Sequence, residues 1–139
     1  MILTLACAVL LLIAAGFHFH WALGGQVGRA VAILQLENGE PLMQVPVAGS
    51  AMVGLFLLAC ACLALAMEFH RVPQPVAGWA AIALAMLFAA RGLSFHRYVG
   101  LFKRVRDTPF GRLDTLFYSP ACLLFAAAFA RLGLATTGI

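Results

Sequence analysis

Residues 2–23 read ILTLACAVLLLIAAGFHFHWAL, an apolar run interrupted only by Thr4, Gly16, His18 and His20. A run of about 20 apolar residues matches the thickness of a bilayer's hydrocarbon core. No basic segment precedes the run and no clear small-residue cleavage site follows it. We therefore interpret it as a retained membrane span, with a cleaved signal peptide as the alternative.

The composition of the whole chain agrees with a membrane location. Of its 139 residues, 64% are hydrophobic and 10% are charged, whereas soluble domains are roughly 45–50% apolar and about 25% charged. Nine Lys and Arg residues outnumber five Asp and Glu residues, but six of the nine lie between Arg91 and Arg112, beside a predicted span. Cations in that position favour anionic lipid headgroups as partners and argue against nucleic-acid binding.

Three further apolar runs follow, at about residues 47–69, 76–96 and 114–134. Together with residues 2–23 they predict one all-α domain over residues 1–139, a bundle of four transmembrane helices.

The last span has two candidate starts. Ser119-Pro120 is good capping chemistry, but the helix that it begins has only about 15 residues, too few for the bilayer core. A start at Asp114 gives the required length and places Pro120 inside the helix, where proline is expected to cause a kink. We favour the longer, kinked helix.

A long connection, residues 24–46, follows the first span. Asn38-Gly39 lies between two apolar runs, which favours a short β-hairpin within residues 26–45 because both residues tolerate positive φ. The apolar residues before this turn also fit helical spacing, so an interfacial helix is the alternative.

A second long connection, residues 97–113, follows the third span. From Arg97 to Asp107, apolar and basic side chains separate onto two faces at helical spacing, which predicts an amphipathic helix. Thr108-Pro109 then has the pattern of a cap and the first residue of another helical turn.

Basic residues are distributed unequally between the two sides of the predicted bundle. The opposite side carries Arg71 and Arg131, whereas the two long connections carry Arg29, Arg97, Lys103, Arg104, Arg106 and Arg112. The positive-inside rule therefore predicts that loops 24–46 and 97–113 are cytoplasmic and that both termini are outside, in a bacterial inner membrane.

Polar residues within a membrane are costly, so each is a candidate for function. The up-down topology brings most of them to one membrane face, beneath the two connections. This candidate polar site consists of His18, His20, Trp21, Arg91, Ser94, His96, Asp114 and Tyr118, with Glu37 and Glu40 within reach. Trp21 and Tyr118 also fit an aromatic belt.

Arg91 is the most deeply placed cation of this site, and Asp114 is its nearest plausible counter-charge. The alternatives are that Arg91 extends to the headgroups or binds an anionic substrate or lipid phosphate, for which a planar guanidinium is well suited.

The histidines give a second interpretation. His18 and His20 point about 200° apart on a helix, so only one of them can pair with His96 across the bundle. Two facing imidazoles are typical of haem b ligation, and histidine also binds copper or zinc. Hydrogen bonding alone and general acid–base chemistry are the other roles open to these side chains.

Three motifs together resemble a bacterial family of small four-span membrane proteins known only as a domain of unknown function. They are His18-x-x-Trp21-Ala-Leu-Gly-Gly25, Arg91-Gly92 late in the third span, and Thr108-Pro-Phe…Asp114…Tyr118-Ser-Pro-Ala-Cys122. The resemblance covers essentially the whole chain and implies a four-helix membrane fold. It transfers no activity, cofactor or partner.

Three functional hypotheses follow from the sequence. The first is a non-enzymatic binding or accessory subunit that contacts a larger membrane complex, a second copy of itself or lipid, with anionic headgroups near Arg97, Lys103, Arg104 and Arg106. The second is a protein that binds haem b or a metal through His96 and either His18 or His20. The third is an enzyme acting on an anionic lipid-like substrate.

Overall fold

The computed structural model describes residues 1–138, except for the side chain of Gln74. The described chain consists of helices α1 (Ile2–Ala22), α2 (Arg29–Ala32), α3 (Val47–Glu68), α4 (Gln74–Gly92), α5 (Pro109–Leu113) and α6 (Ser119–Thr137), with a π-helical turn, π1 (Asp114–Tyr118), between the last two. Since α5, π1 and α6 are continuous, they form one fourth span.

Four helices of the described chain are long and apolar enough to cross a membrane: α1, α3, α4 and the fourth span. No strand occurs within residues 1–138. The prediction of an all-α bundle with four membrane helices is confirmed, and the chain is a small polytopic membrane protein.

The bundle is assembled from two helix pairs, because α1 packs along α3 and α4 packs along α6, with fewer contacts between the pairs. Small residues bring α4 and α6 close together: a Cβ atom on Gly133 would lie 2.6 Å from the side chain of Ile82. The ring of Phe88 of α4 meets Phe125 edge-to-face and stacks against Phe129, at centroid distances of 5.3 and 6.0 Å. Close backbone approach and aromatic packing stabilise this pair in the membrane.

The fourth span begins earlier than Asp114. Thr108 caps it by accepting a hydrogen bond from the Gly111 amide at 3.0 Å, and Pro109 follows as the first helical residue. Proline has no amide hydrogen and its ring clashes with the carbonyl four residues back, so Pro120 disturbs the turn that precedes it. That turn is π1, in which the amide of Ser119 donates to the carbonyl of Asp114 five residues back.

The first connection contains elements of both predicted alternatives. The helical alternative is reduced to the single turn α2. The hairpin is reduced to one antiparallel bridge between Gln35 and Pro41, closed by Asn38 and by Gly39 with a φ of +83°.

The second connection corrects a prediction, since residues 97–107 form turns and bends and no amphipathic helix. Gly100 has a φ of +94°, and a side chain there would collide with the backbone of Ser94. Two cations also turn towards the protein: Lys103 points inward, and Arg106 donates to the carbonyls of Leu101 and Lys103. These contacts satisfy the backbone of an irregular loop, so the helical pattern does not determine its structure.

Candidate functional site

The polar end of the bundle is the end where α1 and α4 finish and where α3 and α5 begin. At its centre lies Asp114, whose side chain is completely buried. One carboxylate oxygen pairs with Arg91 Nη2 at 2.7 Å, as the sequence predicted. The other pairs with Lys103 Nζ at 3.0 Å and accepts the amide hydrogen of Gly100 at 2.9 Å. Asp114 therefore joins α4, the second connection and the fourth span.

Lys103 belongs to this buried cluster, although the sequence pattern predicts it on the surface. Its side chain is as buried as that of Asp114, and its ammonium group also donates to Thr115 Oγ1 at 2.6 Å and to the Gly100 carbonyl at 3.2 Å. We grouped Lys103 with the cations that face lipid headgroups, whereas the structure encloses it. The one available signal was Gly100, which interrupts the amphipathic pattern just before it.

The three charged groups of this cluster do not balance. Arg91 and Lys103 contribute two positive charges and Asp114 contributes one negative charge, which leaves a net charge of +1. The Arg91 side chain is 33% exposed, yet its Nη1 atom is buried and has no hydrogen-bond partner within residues 1–138.

The first connection is attached to the polar end by three of the following four hydrogen bonds, and the fourth, from Gln35 to Ala30, is internal to it. Gln35 is buried and accepts the amide hydrogen of Phe110 at 3.0 Å, while its side-chain amide donates to Ala30. Trp21 donates to the carbonyl of Val27 at 2.7 Å, and Tyr118 donates to the carbonyl of Val31 at 3.4 Å. The two residues interpreted as an aromatic belt therefore anchor this connection.

The histidines and Ser94 lie around the polar end in different surroundings. The ring of His18 is half-buried against Trp21, with 4.9 Å between ring centroids, and the exposed His20 lies beside Gly25. Since α4 ends at Gly92, Ser94 and His96 lie beyond it, and the Ser94 hydroxyl accepts the His96 amide hydrogen at 3.1 Å.

His96 is exposed, and its Nδ1 atom accepts the amide hydrogen of Tyr98 at 3.3 Å. Among the described residues, no group of three or more His, Cys, Asp and Glu side chains is arranged to hold a metal ion. Haem ligation needs only two histidines, so it stays a prediction.

The outer surface of the polar end carries exposed cations. Arg97 pairs with Glu37 at 2.5 Å, and this hydrogen bond raises the pKa of the Arg97 guanidinium. Arg104 and Arg112 are also exposed, and within residues 1–138 neither forms an ion pair with an acid.

A second polar cluster lies at the opposite end of the bundle, where sequence reasoning assigned no site. Glu68 of α3 accepts a hydrogen bond from Thr4 of α1 at 2.6 Å and pairs with the Met1 amine at 3.0 Å. Arg131 of α6 pairs with Glu68 and donates to Thr4 as well. This far-end cluster joins the two helix pairs. Sequence reasoning missed it because Glu68 and Arg131 are 63 residues apart and each alone looks like an ordinary interfacial residue.

Four membrane-capable helices, held at each end by a buried or half-buried ion cluster, define a small four-span membrane protein. The sequence pattern of the family described as "Protein of unknown function (DUF3995)" matches residues 3–129. The chain belongs to this family, which confirms the resemblance found in the sequence. No curated protein and no solved structure matches this chain.

Proposed function

We propose that the chain is a non-enzymatic binding or accessory subunit of a bacterial inner membrane, whose polar end binds anionic lipid headgroups. The observation that carries this proposal is the division of charge at that end. Asp114 is buried and neutralised, whereas Arg104 and Arg112 stand on the outer surface without an acid partner among the described residues. The surface therefore presents cations at the level where the spans end.

The state of Asp114 supports binding over catalysis. A general acid or base must reach its substrate within hydrogen-bond distance. Both oxygens of Asp114 are instead occupied by Arg91, Lys103 and the Gly100 amide. This arrangement ties the second connection, which carries Arg104, to α4 and the fourth span.

The proposed orientation places the polar end in the cytoplasm, where anionic lipids attract basic residues near the membrane. Two reporters fused after residue 138 test this orientation: one is fluorescent only in the cytoplasm, and the other is active only outside it. We expect activity outside. Fluorescence in the cytoplasm would reverse the orientation and remove this support.

Lipid retention tests the binding function directly. The full chain is purified in mild detergent, exposed to phosphatidylglycerol or phosphatidylcholine, and analysed by native mass spectrometry. Each basic residue near an anionic surface contributes about 1 kcal/mol, so Arg104→Gln with Arg112→Gln should weaken phosphatidylglycerol retention by roughly thirtyfold.

Arg71→Gln is the matched control, because Arg71 is an exposed cation in the turn at the opposite end of the bundle. It should retain phosphatidylglycerol as the unmodified chain does, and phosphatidylcholine should bind equally weakly to all three proteins. Equal phosphatidylglycerol retention by the double variant and the unmodified chain would refute the proposal.

A further inference from the structure

Three buried side-chain atoms have no hydrogen-bond partner within residues 1–138: His18 Nδ1, Arg91 Nη1 and Ser119 Oγ. All three belong to membrane helices and lie towards the polar end. A buried polar atom left without a partner is costly, and native proteins supply such atoms with water, an ion or a ligand. Two of them, Arg91 Nη1 and Ser119 Oγ, belong to the adjacent helix α4 and fourth span.

Arg91 and Ser119 lie on opposite sides of one close helix contact. A Cβ atom on Gly92, the residue after Arg91, would be 3.1 Å from the Ser119 carbonyl oxygen. Arg91 binds the Asp114 carboxylate through Nη2, and Asp114 is one π-helical turn from Ser119. Arg91 and Ser119 therefore lie at the same contact between α4 and the fourth span.

The charge of this region determines the sign of its ligand. Arg91, Lys103 and Asp114 carry a net charge of +1, and the Ser119 side chain beside them is completely buried. A guanidinium nitrogen and a hydroxyl group both donate hydrogen bonds to oxyanions, and the planar guanidinium suits phosphate in particular.

We infer that Arg91 Nη1 and Ser119 Oγ form an internal site for a phosphate-type oxyanion, supplied by a lipid headgroup or by free phosphate. In the complex, Arg91 keeps its Nη2 bond to Asp114 and turns Nη1 towards the anion, which enters where the Arg91 side chain is exposed. This site goes beyond the proposed surface binding, since it does not use the exterior arginines.

Two variants each remove one of the proposed anion-binding atoms. Arg91→Lys keeps a positive charge for Asp114 but removes the second donor nitrogen. Ser119→Ala removes only the unpartnered hydroxyl, and it tests the site even if Arg91→Lys does not fold. Ser50→Ala is the matched control, because Ser50 is a buried serine of α3 whose hydroxyl is not among the unpartnered atoms.

The delipidated full chain in detergent is titrated separately with inorganic phosphate and with a short-chain phosphatidylglycerol. Phosphorus-31 NMR of each probe measures its binding. We expect saturable binding of at least one probe, weakened about tenfold or more by Arg91→Lys and by Ser119→Ala and unchanged by Ser50→Ala. Binding of phosphate identifies a free-anion site, and binding of the lipid alone identifies a headgroup site.

Two outcomes would overturn the inference: no saturable binding of either probe, or binding that Ser119→Ala leaves unchanged. The double variant Arg104→Gln with Arg112→Gln distinguishes this site from the proposed surface. If that variant loses probe binding while Ser119→Ala keeps it, the surface proposal stands and the internal site does not. The reverse result supports the internal site and contradicts the surface proposal.

Discussion

The buried carboxylate of Asp114 is the acceptor that the charged groups inside the polar end share. Two cations and one backbone amide converge on its carboxylate, which no solvent reaches. The sequence predicted the pairing with Arg91, because both residues lie near the same end of neighbouring spans. It could not predict Lys103, since only the folded path of the second connection returns that side chain to the interior.

Asp114→Asn removes the negative charge and leaves the buried Lys103 and the partly exposed Arg91 without compensation. Breaking a buried ion pair by removing one partner costs about 3–5 kcal/mol, so the free energy of unfolding in detergent should fall by a similar amount. Asp107→Asn is the control because Asp107 is exposed, and its effect should be within about 0.5 kcal/mol. Equal stability of the two variants would show that the Asp114 cluster does not hold the fold.

At the scale of the element, π1 explains why Asp114 lies where it does. In a regular α-helix running through Pro120, the proline ring would clash with the carbonyl of Leu116, and the wide π turn avoids this clash. Composition and hydropathy indicated a span here, and Pro120 indicated an irregularity. The form of that irregularity depends on the contacts that Asp114 makes with other parts of the chain, which the local sequence does not contain.

Pro120→Ala tests this coupling between proline and carboxylate. Alanine restores an amide that can bond to the Leu116 carbonyl, so α-helical hydrogen bonding is favoured over the π turn. Because an α turn contains about one residue fewer than a π turn, Asp114 would then rotate about the helix axis by about 100°. We expect the unfolding free energy to decrease, although replacing a helical proline is otherwise stabilising. In the Asp114→Asn background, the same substitution should be neutral or stabilising, because there is no ion cluster left to lose.

A thermodynamic cycle of the four proteins, measured by denaturant unfolding in one detergent, gives the coupling energy. Equal effects of Pro120→Ala in both backgrounds would contradict a link between π1 and the cluster.

The second connection illustrates where periodicity misleads. Its pattern of apolar and basic residues is helical, but Gly100 adopts a positive φ and the amide of Gly100 is used by Asp114. Long-range ion pairing competes successfully with a local preference that is weak in itself. Hydropathy, by contrast, identified all four spans, since the choice between lipid and water affects every residue of a span.

For the whole molecule, the far-end cluster is the main polar connection between the two helix pairs. Thr4 and Glu68 belong to α1 and α3, and Arg131 belongs to α6. A large apolar core also lies between the pairs, but in lipid apolar surfaces gain little by meeting each other. Polar contacts therefore specify which helices become neighbours.

Arg131→Gln should lower the unfolding free energy by about 1–2 kcal/mol, the value of a charged hydrogen bond reduced for partial exposure. Arg71→Gln, with an exposed cation near the same end, should have almost no effect. The charge-reversed pair Glu68→Arg with Arg131→Glu should recover part of the loss that either reversal causes alone. Thermal unfolding in detergent measures all of these variants, and failure of the double reversal to recover stability would count against a direct pairing.

The far-end cluster also has a consequence for biogenesis. Spans enter the membrane in the order of synthesis, so Glu68 reaches the bilayer well before Arg131 has been translated. Until the last span arrives, Thr4 and the Met1 amine are the partners of Glu68 that have already been synthesised. The nascent three-span intermediate therefore lacks the guanidinium partner of Glu68, and insertion of the fourth span completes the ion cluster.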